Sequence, residues 1–170
     1  MITGLLLLWL SAISALGQSA EHRDVSQPTQ RPSFKDFPAT QVFHGTPVPP
    51  VLDTPKARAF RTELRRQAAS GPNFAGHFTV ARWGCGAGCT DVAIIDARSG
   101  KVWFASFSYE DAWQDGRIIC PHGSDFELSS ELFIVQGDVN GRIGLHYYRW
   151  HDRKFTLLQV DEQCGDWSGM

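Results

Sequence analysis

The groups most able to do chemistry in this chain are its thiols and imidazoles. There are four cysteines, Cys85, Cys89, Cys120 and Cys164, and six histidines. Cys85-Gly86-Ala87-Gly88-Cys89 places two thiols at either end of a glycine-rich loop, eight residues beyond His77 at its near end. A Cys85 or Cys89 thiolate with His77 as base would form a nucleophile–base pair. In an oxidising compartment the same spacing makes a disulfide instead, and bonded sulfur attacks nothing. Four cysteines allow three pairings. Two glycines admit positive φ and let a very short loop close, which favours Cys85–Cys89 and leaves Cys120–Cys164 to tie the C-terminus to the middle of the chain. A reducible Cys85–Cys89 bridge would suit a thiol-redox accessory protein. The C-x₃-C spacing, with no helix following, argues for a structural bridge over the C-x-x-C arrangement of redox proteins.

Other polar clusters suggest binding. Asn73, His77 and Trp83 lead into the cysteine loop, and glycine-rich loops present backbone N–H groups that can hold an anion; these three are the candidate binding residues. Glu110, Asp111 and Asp115 stand beside Tyr109 and Trp113, a mixture that suits carbohydrate binding or glycoside hydrolysis. Adjacent acids in a loop are also the ordinary composition of a solvated turn, and Trp103, Trp113, Trp150 and Trp167 serve equally well as sheet core. For metals, Cys120-Pro121-His122 and His146 with His151 lack the paired spacing of a zinc site. Asp138-Val139-Asn140-Gly141 opens like a calcium loop but lacks the closing acidic ligand. No catalytic residue, metal or cofactor is expected.

These residues need a frame, and composition bounds it. The chain has 170 residues, 42% hydrophobic, 12% aromatic, with a net charge of −2, which fits one ordinary domain and excludes both a polybasic nucleic-acid module and a wholly disordered chain. Gly4 to Gly17 is an uncharged apolar run, shorter than the ~20 residues that span a bilayer. It reads as a secretory signal over 1–17, with cleavage after Gly17 or Ala20. Met1-Ile2-Thr3 carries no basic residue, so an uncleaved anchor is the alternative; no stable transmembrane anchor is expected. Export places the protein in the periplasm or outside the cell.

Residues 18–50 are rich in Pro, Gln, Ser and Thr, and predict an irregular leader whose Phe34, Phe37 and Phe43 lie on the domain surface. Residues 51–170 form the single domain. The spacing of Ala57, Phe60, Leu64 and Ala68 predicts one helix over Asp53–Ser70, with Asp53 or Thr54 as cap and Gly71-Pro72 as stop. Arg58, Arg61 and Arg65 on its outer faces could meet an anionic envelope component, or simply be solvated. After Asn73 the pattern becomes strands: Phe74–Trp83, Val92–Asp96, Val102–Phe104, Leu132–Val135, Ile143–Trp150 and Phe155–Val160, with an acidic aromatic loop over Phe107–Gly116. Five to seven strands with one N-terminal helix packed on them predict an α+β fold, a small antiparallel sheet or partly open barrel braced by disulfides.

The stretch Gly71-Pro72-Asn73-Phe74-Ala75-Gly76-His77, then Trp83-Gly84-Cys85-Gly86-Ala87-Gly88-Cys89, then Asp96-Ala97-Arg98-Ser99-Gly100-Lys101-Val102 resembles a family of small exported bacterial proteins of unknown function. The resemblance extends over about residues 54–160 and implies export and a bacterial source. It implies no activity. The residues themselves favour a non-enzymatic binding or envelope-associated module, with a cell-wall or polysaccharide hydrolase using Glu110, Asp111 or Asp115 as the alternative and a thiol-redox accessory role behind it.

Overall fold

A computed structural model describes residues 30–164. The expected signal segment, its cleavage site, the first part of the leader and Trp167 lie outside the described residues. Nine strands are described: β1 (Phe78–Gly86), β2 (Cys89–Asp96), β3 (Val102–Glu110), β4 (Ala112–Gln114), β5 (Arg117–Cys120), β6 (Gly123–Phe126), β7 (Leu132–Val139), β8 (Arg142–His151) and β9 (Lys154–Asp161). All pair antiparallel. The main sheet runs β1-β2-β3-β7-β8-β9, β6 pairs with β7 as well, and β4–β5 is a separate hairpin.

Strands β3 and β7 meet at a single pair, Glu110 opposite Asp138. At this junction Gly137 adopts φ +127°, and a β-carbon there would collide with the Glu110 carbonyl and press on His122. The sheet therefore bends at its middle and closes over one apolar core, in which Val80, Val92, Ile94, Phe107 and Tyr109 face Phe133, Val135, Tyr148 and Trp150. Residues of the opposite parity are covered from outside. Ala81, Trp83, Ala93 and Ile95 pack with Ala57, Leu64 and Ala68. Leu132, Ile134, Leu145 and Tyr147 pack with Phe34 and Phe37 of the leader. Coverage on both faces explains why Val92–Ile95 and Leu132–Val135 read as unbroken apolar runs rather than alternating ones.

Several expectations need correction. The single helix is two, α1 (Pro55–Ala59) and α2 (Arg61–Ala68), broken at Phe60 (φ −98°, ψ 19°), whose ring stacks on Trp83 at 4.6 Å. Thr54, not Asp53, caps the first, its Oγ1 accepting from the Ala57 N–H at 3.0 Å. Phe74 is not in the first strand. Ala75 (φ 43°) and Gly76 (φ 80°) turn the chain, and a side chain at Gly76 would strike the Gln41 carbonyl. The expected loop over Phe107–Gly116 is instead the end of β3 followed by β4–β5, turning at Asp115 (φ 49°) and Gly116 (φ 73°). Phe107 and Tyr109 are buried while Ser106 and Glu110 are exposed, the period-two alternation of a half-buried strand.

All four cysteines are bonded, Cys85 to Cys89 and Cys120 to Cys164. The first bridge closes the turn between β1 and β2. The second joins the end of β5 to Cys164, three residues beyond the final strand.

Candidate functional site

Asn73, His77 and Trp83 do not converge. The Asn73 carboxamide oxygen accepts from the Val80 N–H at 2.9 Å, so this side chain completes the outer edge of β1. His77 precedes that strand, its ring 4.0 Å from that of Phe78, and burial holds its imidazole below the usual range, with Arg98 adding to the effect. It lines a small recess of 160 Å³ with Glu131 and His151. Trp83 packs on the outer face of the sheet under α1 and α2 and, of the three, is the one that also lines the 300 Å³ pocket beside the Cys85–Cys89 turn. His77 and Trp83 are six residues apart, about 20 Å along an extended strand.

The paired carboxylates also separate. Glu110 is exposed at the end of β3, and Asp115 sits in the β4–β5 turn. Asp111 alone is engaged: one carboxylate oxygen accepts from the His122 backbone N–H at 2.8 Å and lies 2.7 Å from its ring Nδ1. That hydrogen bond holds the Asp111 carboxyl below the usual carboxylate range, although partial burial opposes it. A glycosidase acid needs the reverse, a carboxyl raised by its surroundings.

Among the other expectations, Cys120 is spent in a disulfide. His146 is buried on β8 with a ring nitrogen 3.0 Å from the Arg142 carbonyl, whereas His151 is exposed. No group of three or more metal-ligating side chains comes together among the described residues. Asp138–Gly141 is a hairpin turn closed by the Gly141 N–H on the Asp138 carboxylate at 2.7 Å. Trp113 is not core: it is 59% exposed on the β4–β5 hairpin.

The polar side chains that do converge line a pocket of 300 Å³ beside the Cys85–Cys89 turn. Its floor is one row across three strands, Gly84 opposite Thr90 and Thr90 opposite Tyr109. Arg82 stands at one side and His122, Gly123 and Ser124 at the other. The parts are held in place. Arg82 donates to Ser124 Oγ at 2.9 Å and its guanidinium lies 5.1 Å from the centre of the Phe126 ring. Tyr109 and Ser124 share a hydroxyl–hydroxyl hydrogen bond of 2.9 Å. The segment leading into the site is tied by the buried Gln136, whose Nε2 donates to the Pro121 carbonyl at 3.1 Å. Because ionised Asp111 can only accept, His122 Nδ1 carries the proton in that bond and Nε2 is the nitrogen left for a ligand.

The cysteine loop supports the site from behind. The Gly88 carbonyl accepts from the Asp111 N–H at 2.9 Å, and a β-carbon on Gly88 would lie 2.6 Å from the Asp111 carboxylate. The order of support is therefore loop, Asp111, His122, pocket. A larger recess of 560 Å³ between Pro47–Pro50 and the end of α2 is mainly apolar, with Arg65 at its edge, and lacks a comparable set of convergent polar groups. Arg58 donates to the Leu52 and Asp53 carbonyls just before α1, and Arg61 to the Arg58 carbonyl.

Reading by type and spacing missed Arg82, Ser124 and the pairing of Asp111 with His122, and set Tyr109 in a loop with the neighbouring acids. The pair carried a signal: a hairpin turning at Asp115-Gly116 brings Ala112 opposite Cys120, so the next residues outward, Asp111 and those after Cys120, must approach. Comparison with protein-family models, curated proteins and solved structures gives no match to this chain.

Proposed function

We propose that this is an exported bacterial protein, periplasmic or secreted, acting as a non-enzymatic binding module whose ligand enters the Arg82–His122 pocket. The observation that carries the reading is the convergence there of a pinned guanidinium, three hydroxyls and an oriented imidazole, the few well-placed polar groups expected of a small-molecule site. Export is supported by the apolar run Gly4–Gly17, by two closed disulfides, which persist in oxidising compartments, and by the resemblance of the Gly71–Val102 pattern. No helix among the described residues is long and apolar enough to cross a membrane. Arg58, Arg61 and Arg65 are exposed on α1 and α2 and would face an anionic envelope component.

Two rival readings have less behind them. Hydrolysis would need His122 as base with Asp111 orienting it, the relation seen in nucleophile–base–acid triads. The Ser124 hydroxyl, however, is bonded to Arg82 and Tyr109 rather than to the imidazole, and the acids Glu110 and Asp115 stand outside the pocket. A redox role would need a thiolate favoured by a helix N-terminus or basic neighbours, and Cys85–Cys89 sits in a turn between two strands.

The test has two arms. Intact mass of protein from an exporting host, alkylated with and without reductant, should show loss of the chain through Gly17 or Ala20 and four cysteines that alkylate only after reduction. A full-length chain with reactive cysteines rejects export. In the second arm, ligands found by thermal shift should be recovered unchanged after incubation; turnover abolished by His122→Ala would reject the binding reading in favour of hydrolysis.

A further inference from the structure

We infer that the pocket takes a small oxyanion, a carboxylate or a phosphate, with Arg82 as its anchor. The inference rests on the pocket being the ligand site and adds the class of ligand. The lining includes one permanent cation, Arg82, and an imidazole, and no lining residue carries a carboxylate. By contrast, the recesses at Asp115–Arg117 and at Glu131–Arg153 mix both signs.

Arg31, Arg66, Arg142 and Arg149 each face an acidic side chain; Arg82, like Arg58, Arg61, Arg65, Arg98, Arg117 and Arg153, has no such partner among the described residues, and of these it alone lines this pocket. Its position is nonetheless fixed, by Ser124 on one nitrogen and by the face of Phe126. A guanidinium has donors enough to spend one on Ser124 and still present a planar fork. That fork matches the two oxygens of a carboxylate or phosphate. Because the arginine is held before binding, little of its side-chain entropy remains to be lost when the anion arrives.

The hydroxyls complete the match. Ser124 Oγ accepts from Arg82 and shares a bond with Tyr109, so a proton from one of the pair is free for an incoming acceptor. Thr90, from the middle strand of the floor, adds a third hydroxyl. Asp111 does not line the pocket and accepts two hydrogen bonds from His122. A cavity of 300 Å³ lies at the lower end of ligand pockets, about 300–1,000 Å³, and suits a small anion.

Calorimetric titration of the mature, disulfide-bonded protein at low ionic strength tests this with three probes: inorganic phosphate, acetate and neutral methyl glucoside. The expected result is one site for phosphate or acetate, the tighter probe naming the source, with binding weakened about tenfold or more in Arg82→Gln and less in Arg82→Lys, which keeps the charge and loses the fork. Ser124→Ala, which keeps the guanidinium but removes one of its two supports, should weaken it less, and wild-type-like amide spectra guard against misfolding of the variants. Anion affinity unchanged in Arg82→Gln overturns the inference. Binding of the glucoside alone, with amide shifts at Thr90 and Ser124, overturns the anion class and leaves the pocket as the ligand site. No probe shifting those amides overturns both.

Discussion

At the scale of single residues, the Asp111–His122 contact is the joint on which the pocket's geometry turns. Asp111→Ala removes the acceptor of two hydrogen bonds from His122 and should cost about 2 kcal/mol, since bonds to a charged group are worth more than neutral ones. Denaturant midpoints measure it. The titration of Asp111 sets the direction with pH. Its folded-state pKa lies below that of an unfolded aspartate because His122 stabilises the carboxylate. The ionised group therefore adds stability at all pH above the ordinary carboxylate range, and this contribution is lost as pH falls through the folded-state value. The stability difference between the wild type and Asp111→Asn should shrink on acidification; a difference that grows would contradict the assignment. Gly88 is the second residue to change. Gly88→Ala places a methyl 2.6 Å from the Asp111 carboxylate at φ +68°, so the carboxylate must swing and the left-handed backbone is strained by about 1 kcal/mol or more. The His122 Nδ1 proton should shift or vanish in NMR spectra, while Ala87→Gly leaves it in place.

At the scale of elements, β1 shows how an edge strand is kept from pairing with another chain. Gln67 on α2 donates to the Arg82 carbonyl at 2.7 Å and accepts from its N–H at 2.9 Å, imitating a neighbouring strand. Asn73 supplies half of this for Val80, its carboxamide oxygen accepting from the Val80 N–H. Gln67→Ala should lower stability by about 1 kcal/mol and promote self-association at this edge, seen by light scattering. Asn73→Ala should carry a similar stability cost and leave anion affinity unchanged; a lost affinity would restore Asn73 as a binding residue. This edge also marks where the sequence is legible and where it stops. The apolar runs at Val92 and Leu132 and the glycine-closed turns identify strands directly. What they do not reveal is which strand is an edge, so a polar residue such as Asn73 beside a histidine reads as a site when it is a strand's missing partner. Tyr109 was obscured for the opposite reason: the acids after it suggested a loop, although its alternation with Ser108 and Glu110 marked a strand. Arg82 and Ser124 lie on different strands 42 residues apart, and nothing in local spacing brings them together.

At the scale of the whole molecule, the described residues form a bent main sheet and a separate β4–β5 hairpin. The main sheet's outer faces are covered by short helices and by leader residues, with one disulfide closing the β1–β2 turn and the other tying Cys164 to β5. The Cys120–Cys164 bridge spans 44 residues and the Cys85–Cys89 bridge four. By loop-closure entropy their removal should cost about 4 and about 2 kcal/mol respectively, so the double-alanine variant of the long bridge unfolds at the lower denaturant concentration. Equal midpoints would mean that the leader and sheet already fix the C-terminal strand. The pocket lies where the bend, the short cysteine loop and the β4–β5 hairpin meet, and this junction is the structural basis of the proposed binding role. The most direct measurement is a two-dimensional amide NMR titration of the mature protein with phosphate, acetate and methyl glucoside in turn. The expected result is a localised shift at Gly84, Thr90, Gly123 and Ser124 with one of the anions. Shifts confined to the exposed Trp113–Ile119 hairpin or to the Arg58–Arg65 face, with those four amides unmoved by every probe, would contradict it.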